Sequence, residues 1–199
     1  MIKNVNRPFF LSLRKILKFL IKPLLFTCLG FRIEGKTNLP RRRKPCIIIS
    51  NHAAFVDSVF FVCSVKPRFT ICGARPKYFK RFRSRILFRT ANVLKVEDHA
   101  QFLRDCEALL KAGEVILVYP EMGRNRDGLA EFKTWAAEVA LTNRVPVIPC
   151  YIYGTTTGHS GKKRLLVGDV IEPSGNPEEL TREFKKRIET LHQQYKEVQ

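Results

Sequence analysis

Five short apolar runs recur along the chain: Cys46–Ser50, Phe69–Ala74, Val93–Val96, Val115–Tyr119 and Val145–Tyr153. Each is rich in branched residues and most are bounded by Pro or Gly, the pattern of strands buried on both faces. Stretches with helical spacing separate them. Asp57 or Asn51 can start a helix over SVFFVCSV, with Pro67 beyond its end. Pro76–Arg89 is a basic helical stretch. His99–Ala112 puts Phe102, Leu103, Cys106, Leu109 and Leu110 on one face, with Gly113 as its stop, and Phe132–Thr142 follows. Arg164–Ile171 reads as an edge strand. Asn176-Pro177-Glu178-Glu179 opens a last helix whose Leu180, Phe184, Ile188, Leu191 and Tyr195 share a face. This alternation predicts an α/β fold, a mixed, largely parallel central sheet flanked by helices, with any active site at the strand ends. At 199 residues, with no internal repeat, it is one domain with at most a helical appendage.

Charge is the second constraint. The chain holds 36 Lys and Arg against 18 Asp and Glu, a net +18, and the excess is local. Residues 1–44 hold 12 basic and 1 acidic, and residues 66–95 hold 10 basic and none acidic, so the other 125 residues come to −3. Local positive charge predicts an anionic partner: a membrane, nucleic acid or a phosphorylated ligand. Tyr78, Phe79, Phe82 and Phe88 lie among arginines, but no helix-turn-helix, zinc or RNA-binding motif accompanies them, which argues against nucleic acid. The six cysteines show no Cys-x-x-Cys spacing and read as reduced thiols; no metal site is expected.

Residues 8–31 form the most apolar early stretch, but Arg14, Lys15, Lys18 and Lys22 interrupt it. The charge-free piece from Pro23 to Phe31 is far short of the ~20 residues of a spanning helix. On a helix, Lys15, Lys18 and Lys22 fall on one face and Phe9, Leu13, Leu17, Leu20 and Leu24 on the other. A basic amphipathic helix of this kind suits an anionic membrane surface, although the apolar face could also pack onto the domain's own core. The division expected is residues 1–34 as an N-terminal membrane-associating segment and 35–199 as the main domain. Without a spanning segment or signal peptide, the expected location is the cytoplasmic face of the cell membrane, held peripherally.

Two polar clusters stand where strand signals stop. The first is Ser50-Asn51-His52-Ala53-Ala54-Phe55-Val56-Asp57. His52 and Asp57 would lie ~140° apart on a regular helix, so they meet only if the strand-to-helix turn falls between them. If they meet, the carboxylate fixes the imidazole tautomer and leaves the other nitrogen as a base. On spacing alone, a loop histidine and a helix-capping aspartate read the same way. The second cluster is Tyr119-Pro120-Glu121-Met122-Gly123-Arg124-Asn125, where an Arg in a Gly-containing turn suits phosphate or carboxylate.

Together and in this order, the clusters resemble those of the glycerolipid acyltransferase family, whose best-known members are 1-acylglycerol-3-phosphate (lysophosphatidate) acyltransferases. Asn51-His52-x4-Asp57 matches the family's N-H-x4-D motif, and Tyr119 to Arg124 looks like its F-P-E-G-T-R. Val145-Pro146-Val147-Ile148-Pro149 resembles its V-P-V-x-P block, and Phe132-Lys133 sits where a Phe-Lys pair is usual. The resemblance covers roughly residues 35–155. It implies transfer of a fatty acyl group from a thioester, acyl-CoA or acyl carrier protein, to a lysolipid hydroxyl, with no cofactor or metal. His52 would be the general base and Asp57 its orienting partner. Glu121 and Arg124 would bind the acceptor head group, Arg124 on its anionic part; Asn51 and Gly123 would also belong to the substrate-binding set, and the strand around Pro146 and Pro149 would line the acyl-chain region.

Departures from the motifs accompany the match. Met122 and Gly123 stand where the family has Gly and Thr, Asp98 where an acceptor-phosphate Arg is common, and Trp135 where a Gly follows Phe-Lys-x. An intact catalytic pair with altered acceptor motifs predicts an acceptor other or broader than lysophosphatidate, such as a lyso-aminolipid. The competing expectation is an acyltransferase-like protein that binds lipid without turnover.

Overall fold

The computed structural model describes residues 8–42, 44–65, 69–74, 76–80, 82–126, 128–156 and 162–197. Arg43, Pro67, Arg75 and Arg81, with the side chains of Phe9, Lys77, Tyr78, Arg83 and Tyr195, lie outside that description. Seven strands form one sheet: β1 (Arg32–Glu34), β2 (Cys46–Ser50), β3 (Phe69–Ala74), β4 (Val93–Lys95), β5 (Val115–Val118), β6 (Val147–Tyr153) and β7 (Arg164–Val167). Their spatial order is β1-β7-β6-β2-β5-β3-β4, and every pairing is parallel except the antiparallel β6–β7. The mixed, largely parallel α/β sheet is therefore the architecture.

The central strands are apolar at every position because both faces are covered. Ile47, Ile49, Ile116, Val118, Val147 and Tyr151 join one core. It also takes in residues of α4 (His99–Lys111), α5 (Trp135–Asn143) and α6 (Pro177–Glu197). The alternating Cys46, Ile48, Val115, Leu117, Ile148 and Cys150 join a second core with Phe60 and Phe61 of α2 (Asp57–Ser64). On that side α1 (Pro8–Pro23) packs against α2 and against α3 (Phe82–Ala91).

From β2 the chain runs through α2 to β3, past β5; from β5 it runs through α5 to β6, past β2. Adjacent strands whose connections leave in opposite directions open a crevice at their carboxyl ends, which is where ligands bind in such sheets. Both polar clusters of the sequence emerge there.

Several expected boundaries move. The basic stretch Pro76–Arg89 is not one helix: a 3₁₀ turn at Pro76–Phe79 precedes α3. The helix expected from Phe132 begins at Trp135, because Lys133 N–H is held by the Pro120 carbonyl at 2.9 Å. The edge strand ends at Val167, and Ile171 returns only as an isolated bridge to Val147. Strand β1 escapes sequence reading altogether. Of the six cysteines, all free, Cys28 is exposed and the other five are buried.

The first helix corrects the face assignment. Arg14, placed among the interruptions of an apolar stretch, is buried, and its Nη1 donates to the Phe69 carbonyl at 3.1 Å. Lys18, expected on the outer basic face, donates from Nζ to the Val65 carbonyl at the end of α2 at 2.7 Å. Burial, and then the charge of Arg14, lowers the Lys18 pKa from its ordinary value. Leu13 and Leu17 face partly inward, whereas Leu20 (61% exposed) and Leu24 are turned outward with Ile16 and Phe19 (78% exposed). A buried cation needs hydrogen-bond acceptors; the Phe69 carbonyl of β3, which Asn92 Nδ2 also reaches at 3.0 Å, and the Val65 carbonyl after α2 supply them.

Candidate active site

The turn after β2 wraps around one carboxylate. Asp57 Oδ2 accepts from Ala53 N–H and Ala54 N–H, both at 2.8 Å, and lies 2.9 Å from His52 Nδ1. The four residues between His52 and Asp57 are the loop that folds back over the first helical residue. The two side chains therefore meet off a helix, as the spacing requires. Asp57 is fully buried and His52 partly so. An ionised Asp57 only accepts, so Nδ1 carries the hydrogen and Nε2 keeps its lone pair. On one side the imidazole stacks against Tyr119, with ring centroids 4.0 Å apart and planes 13° from parallel.

The second cluster braces the first. Glu121 Oε1 accepts from His52 N–H and Oε2 from Ala130 N–H, each at 3.0 Å, and Asn125 N–H donates to the His52 carbonyl at 2.8 Å. The backbone of His52 is thus held from both sides by the turn after β5. Burial raises the Glu121 carboxyl above its ordinary value, while the Ala130 and His52 N–H groups oppose the shift. Met122 sits at φ 50°, a left-handed position that sharpens this turn. Gly123 and Arg124 come out exposed at the rim.

A cavity of about 730 Å³ begins at this rim. His52, Met122, Gly123 and Arg124 line one end; Val59 and Val62 of α2, with Leu87 and Ala91 of α3, line its flanks; Leu17, Ile21, Arg14 and Lys18 of α1 line the other end. Among the described residues no group of three or more His, Cys, Asp or Glu could hold a metal ion.

The fold thus gathers His52, Asp57, Gly123 and Arg124, and gives three of the other expected residues different work. Asn51 does not line the cavity. It is buried, its Nδ2 donating to the Ile152 carbonyl at 3.0 Å and its Oδ1 accepting from Ile152 N–H at 2.7 Å. It is a tie between the ends of β2 and β6. Glu121 accepts one backbone N–H at each carboxylate oxygen and so braces the loop. Pro149 is buried on the sheet side of Val147 and Tyr151, beside Gly168 and near Leu191 of α6, away from the cavity. The helices α1, α2 and α3 line the apolar region instead.

The motif departures also find places. Asp98 caps α4, accepting from Gln101 N–H at 2.8 Å. Trp135 opens α5 and stacks on His99 at 4.7 Å. Sequence reasoning missed the role of Ser58, whose hydroxyl lies 3.1 Å from that of Tyr119, and the inward aim of Arg14 and Lys18. The signal for the first was the Tyr standing in place of the motif's Phe.

Asn51→Ala would orphan the Ile152 N–H and carbonyl, at about 2–4 kcal/mol. The expected result is a thermal midpoint roughly 5–15 °C lower by calorimetry. An unchanged midpoint would return Asn51 to a ligand-binding role.

Comparison with known proteins bears on the same segment. The acyltransferase family model matches residues 30–153, which includes both clusters. A 1-acyl-sn-glycerol-3-phosphate acyltransferase of Chlamydomonas reinhardtii is 28% identical over 162 residues, covering 74% of this chain and 48% of that protein. The chloroplastic 1-acyl-sn-glycerol-3-phosphate acyltransferase BAT2 of Brassica napus is 28% identical over 141 residues, covering 62% and 37%. The chain spans about half or less of the length of the curated relatives it matches. Its fold is that of the crystal structure of the 1-acyl-sn-glycerophosphate (LPA) acyltransferase PlsC from Thermotoga maritima. The TM-score is 0.73 at 22% identity, covering 92% of this chain and 82% of that one. With the family match spanning well over half of its residues and enclosing the His52–Asp57 turn, this chain belongs to the acyltransferase family.

Proposed function

We propose that this protein is an O-acyltransferase that moves a fatty acyl group from an acyl thioester to the hydroxyl of a lysophospholipid-type acceptor, 1-acylglycerol-3-phosphate or a related lysolipid, in phospholipid synthesis. The observation that carries this reading is an Asp-held histidine at one end of an apolar cavity whose rim presents arginine. Nε2 of His52 takes the proton of the acceptor hydroxyl as its oxygen attacks the thioester carbonyl. The tetrahedral intermediate collapses to the ester, and the thiolate leaves with the proton that His52 returns. Asp57 holds the ring and stabilises the imidazolium formed in between. General-base action of this kind contributes ~10²–10⁴-fold, and positioning supplies much of the rest.

Arg124 and Arg126, exposed on the rim without an ion-pair partner among the described residues, suit an anionic head group. The acyl chain would lie along α2 and α3 toward α1. A thioester of coenzyme A and one of acyl carrier protein both fit this chemistry.

The substrates live in bilayers, and the surface around the cavity suits one. Phe19 and Leu20 on α1 and Phe82 on α3 are more than half exposed, with Lys15, Lys22 and Arg85 exposed among them. Apolar side chains with interspersed cations favour an anionic membrane surface. Among the described residues no helix is long and apolar enough to cross a membrane, so the reading is a peripheral one.

The chemical test supplies wild type and His52→Ala with acyl-CoA or acyl carrier protein donors. The acceptors are lysophosphatidate, other lysophospholipids and lyso-aminolipids in anionic vesicles. Mass spectrometry should find a diacyl product with wild type and a loss of at least 100-fold in the variant. No product from any pair, with the protein folded and vesicle-bound, would favour lipid binding without turnover. For the membrane, Phe19→Asp with Leu20→Asp should weaken vesicle binding at least tenfold. Wild-type binding should fall as salt rises. Equal binding to neutral vesicles would contradict the electrostatic part.

A further inference from the structure

The cavity is apolar along its flanks but carries one pair of hydroxyls whose hydrogen-bonding capacity the protein does not use up. Thr90 donates its one hydroxyl hydrogen to the Ile86 carbonyl at 2.9 Å, and Lys18 gives one of its three N–H groups to the Val65 carbonyl. Ser58 and Tyr119 lie 3.1 Å apart and bond to each other. Two hydroxyls bring two hydrogens, and their mutual bond consumes one. Among the described residues neither hydroxyl has another hydrogen-bond partner. One O–H donor and several lone pairs are left at the wall of a cavity that both residues line. A donor removed from water without an acceptor is unfavourable, and a ligand oxygen relieves it.

The pair is placed near the reacting end. Ser58 follows Asp57 directly, and Tyr119 is the residue stacked on His52. Both residues line the cavity together with His52, so a donor whose thioester carbonyl sat at His52 would pass its first carbons beside the two hydroxyls. Burial, with the charge of Asp57 behind it, holds the Tyr119 phenol well above its usual pKa, so it stays a neutral donor.

We propose that Ser58 and Tyr119 form a recognition station for an oxygen near the carboxyl end of the donor chain, and that the preferred donor is a 3-hydroxyacyl thioester. The 3-hydroxyl accepts the unused O–H and donates to a free lone pair of the same pair, a match that an unsubstituted chain lacks. The inference rests on the acyl-transfer reading for its donor but on the cavity wall for its chemistry.

The test measures kcat/KM for 3-hydroxyhexadecanoyl-CoA and for hexadecanoyl-CoA, with one unsubstituted lysolipid acceptor. It is run in wild type and in the Ser58→Ala, Tyr119→Phe double variant. The readout is the ratio of the two donors within each protein, so a general fall in rate cancels. The expected ratio is about tenfold in favour of the hydroxylated donor, falling to about one in the double variant. In parallel, the two free fatty acids are bound to full-length His52→Ala with and without the double substitution, where the same ratio should appear and vanish. A binding ratio that behaves so, without transfer from any donor, would leave the station standing and sink the transferase reading. Transfer with a wild-type ratio at or below one would overturn the station and leave the transferase.

Discussion

One carboxylate oxygen organises this site. Asp57 Oδ2 gathers the Ala53 and Ala54 amides and the Nδ1 edge of His52, and in doing so decides the path of the chain between a strand and a helix. A carboxylate in the first turn of a helix is favoured by the positive end of the helix dipole, and here the loop amides of Ala53 and Ala54 bind it as well, so the charge that orients the base also suits the fold around it. The loop length follows: four residues carry the backbone around the carboxylate and return an imidazole to it. The turn after β5 then adds Glu121 and Asn125 to the backbone of His52 from the other side. The ring is fixed by its hydrogen bond, its stacked tyrosine and its braced backbone, and Nε2 is the nitrogen left for chemistry.

The apolar half of the site is the work of α1. Without it the flank of α2, α3 and β3 would be open. With it, Leu17 and Ile21 complete the wall, while Arg14 and Lys18 line the same cavity and donate to the Phe69 carbonyl of β3 and the Val65 carbonyl after α2. The same helix sends Ile16, Phe19, Leu20 and Leu24 outward. One short helix therefore shapes the cavity with one face and offers an apolar surface with the other. This links the place where a lipid would arrive to the place where its chain would lie.

The parts of this structure legible in the sequence are those fixed by local pattern. A run such as Cys46–Ser50 behind Pro45 has one plausible home, a central strand, and the alternation of such runs with helices fixes a largely parallel sheet. The His52–Asp57 contact was legible because the motif supplies a turn that helical spacing alone does not. What stayed hidden depends on distant backbone. Strand β1 has one apolar residue among three and exists because β7 offers it a parallel edge. Asn51 reads as a ligand contact beside a histidine, yet its partner is the backbone of Ile152, a hundred residues away. Pro149 sits in a segment apolar at every position, so only register against β2 decides which face it takes. Lys18 reads as an outer cation until the free carbonyl at the end of α2 is known.

The central claim is that Asp57 holds His52 with Nδ1 protonated and Nε2 bare. Nitrogen-15 NMR of the full-length protein, labelled in histidine, reads that tautomer directly when the ring is neutral. The account predicts a His52 signal pair with the proton on Nδ1, its hydrogen bond shifting the N–H resonance downfield, and loss of that pattern in Asp57→Asn. A His52 ring protonated on Nε2, or a pattern indifferent to Asp57→Asn, would contradict it.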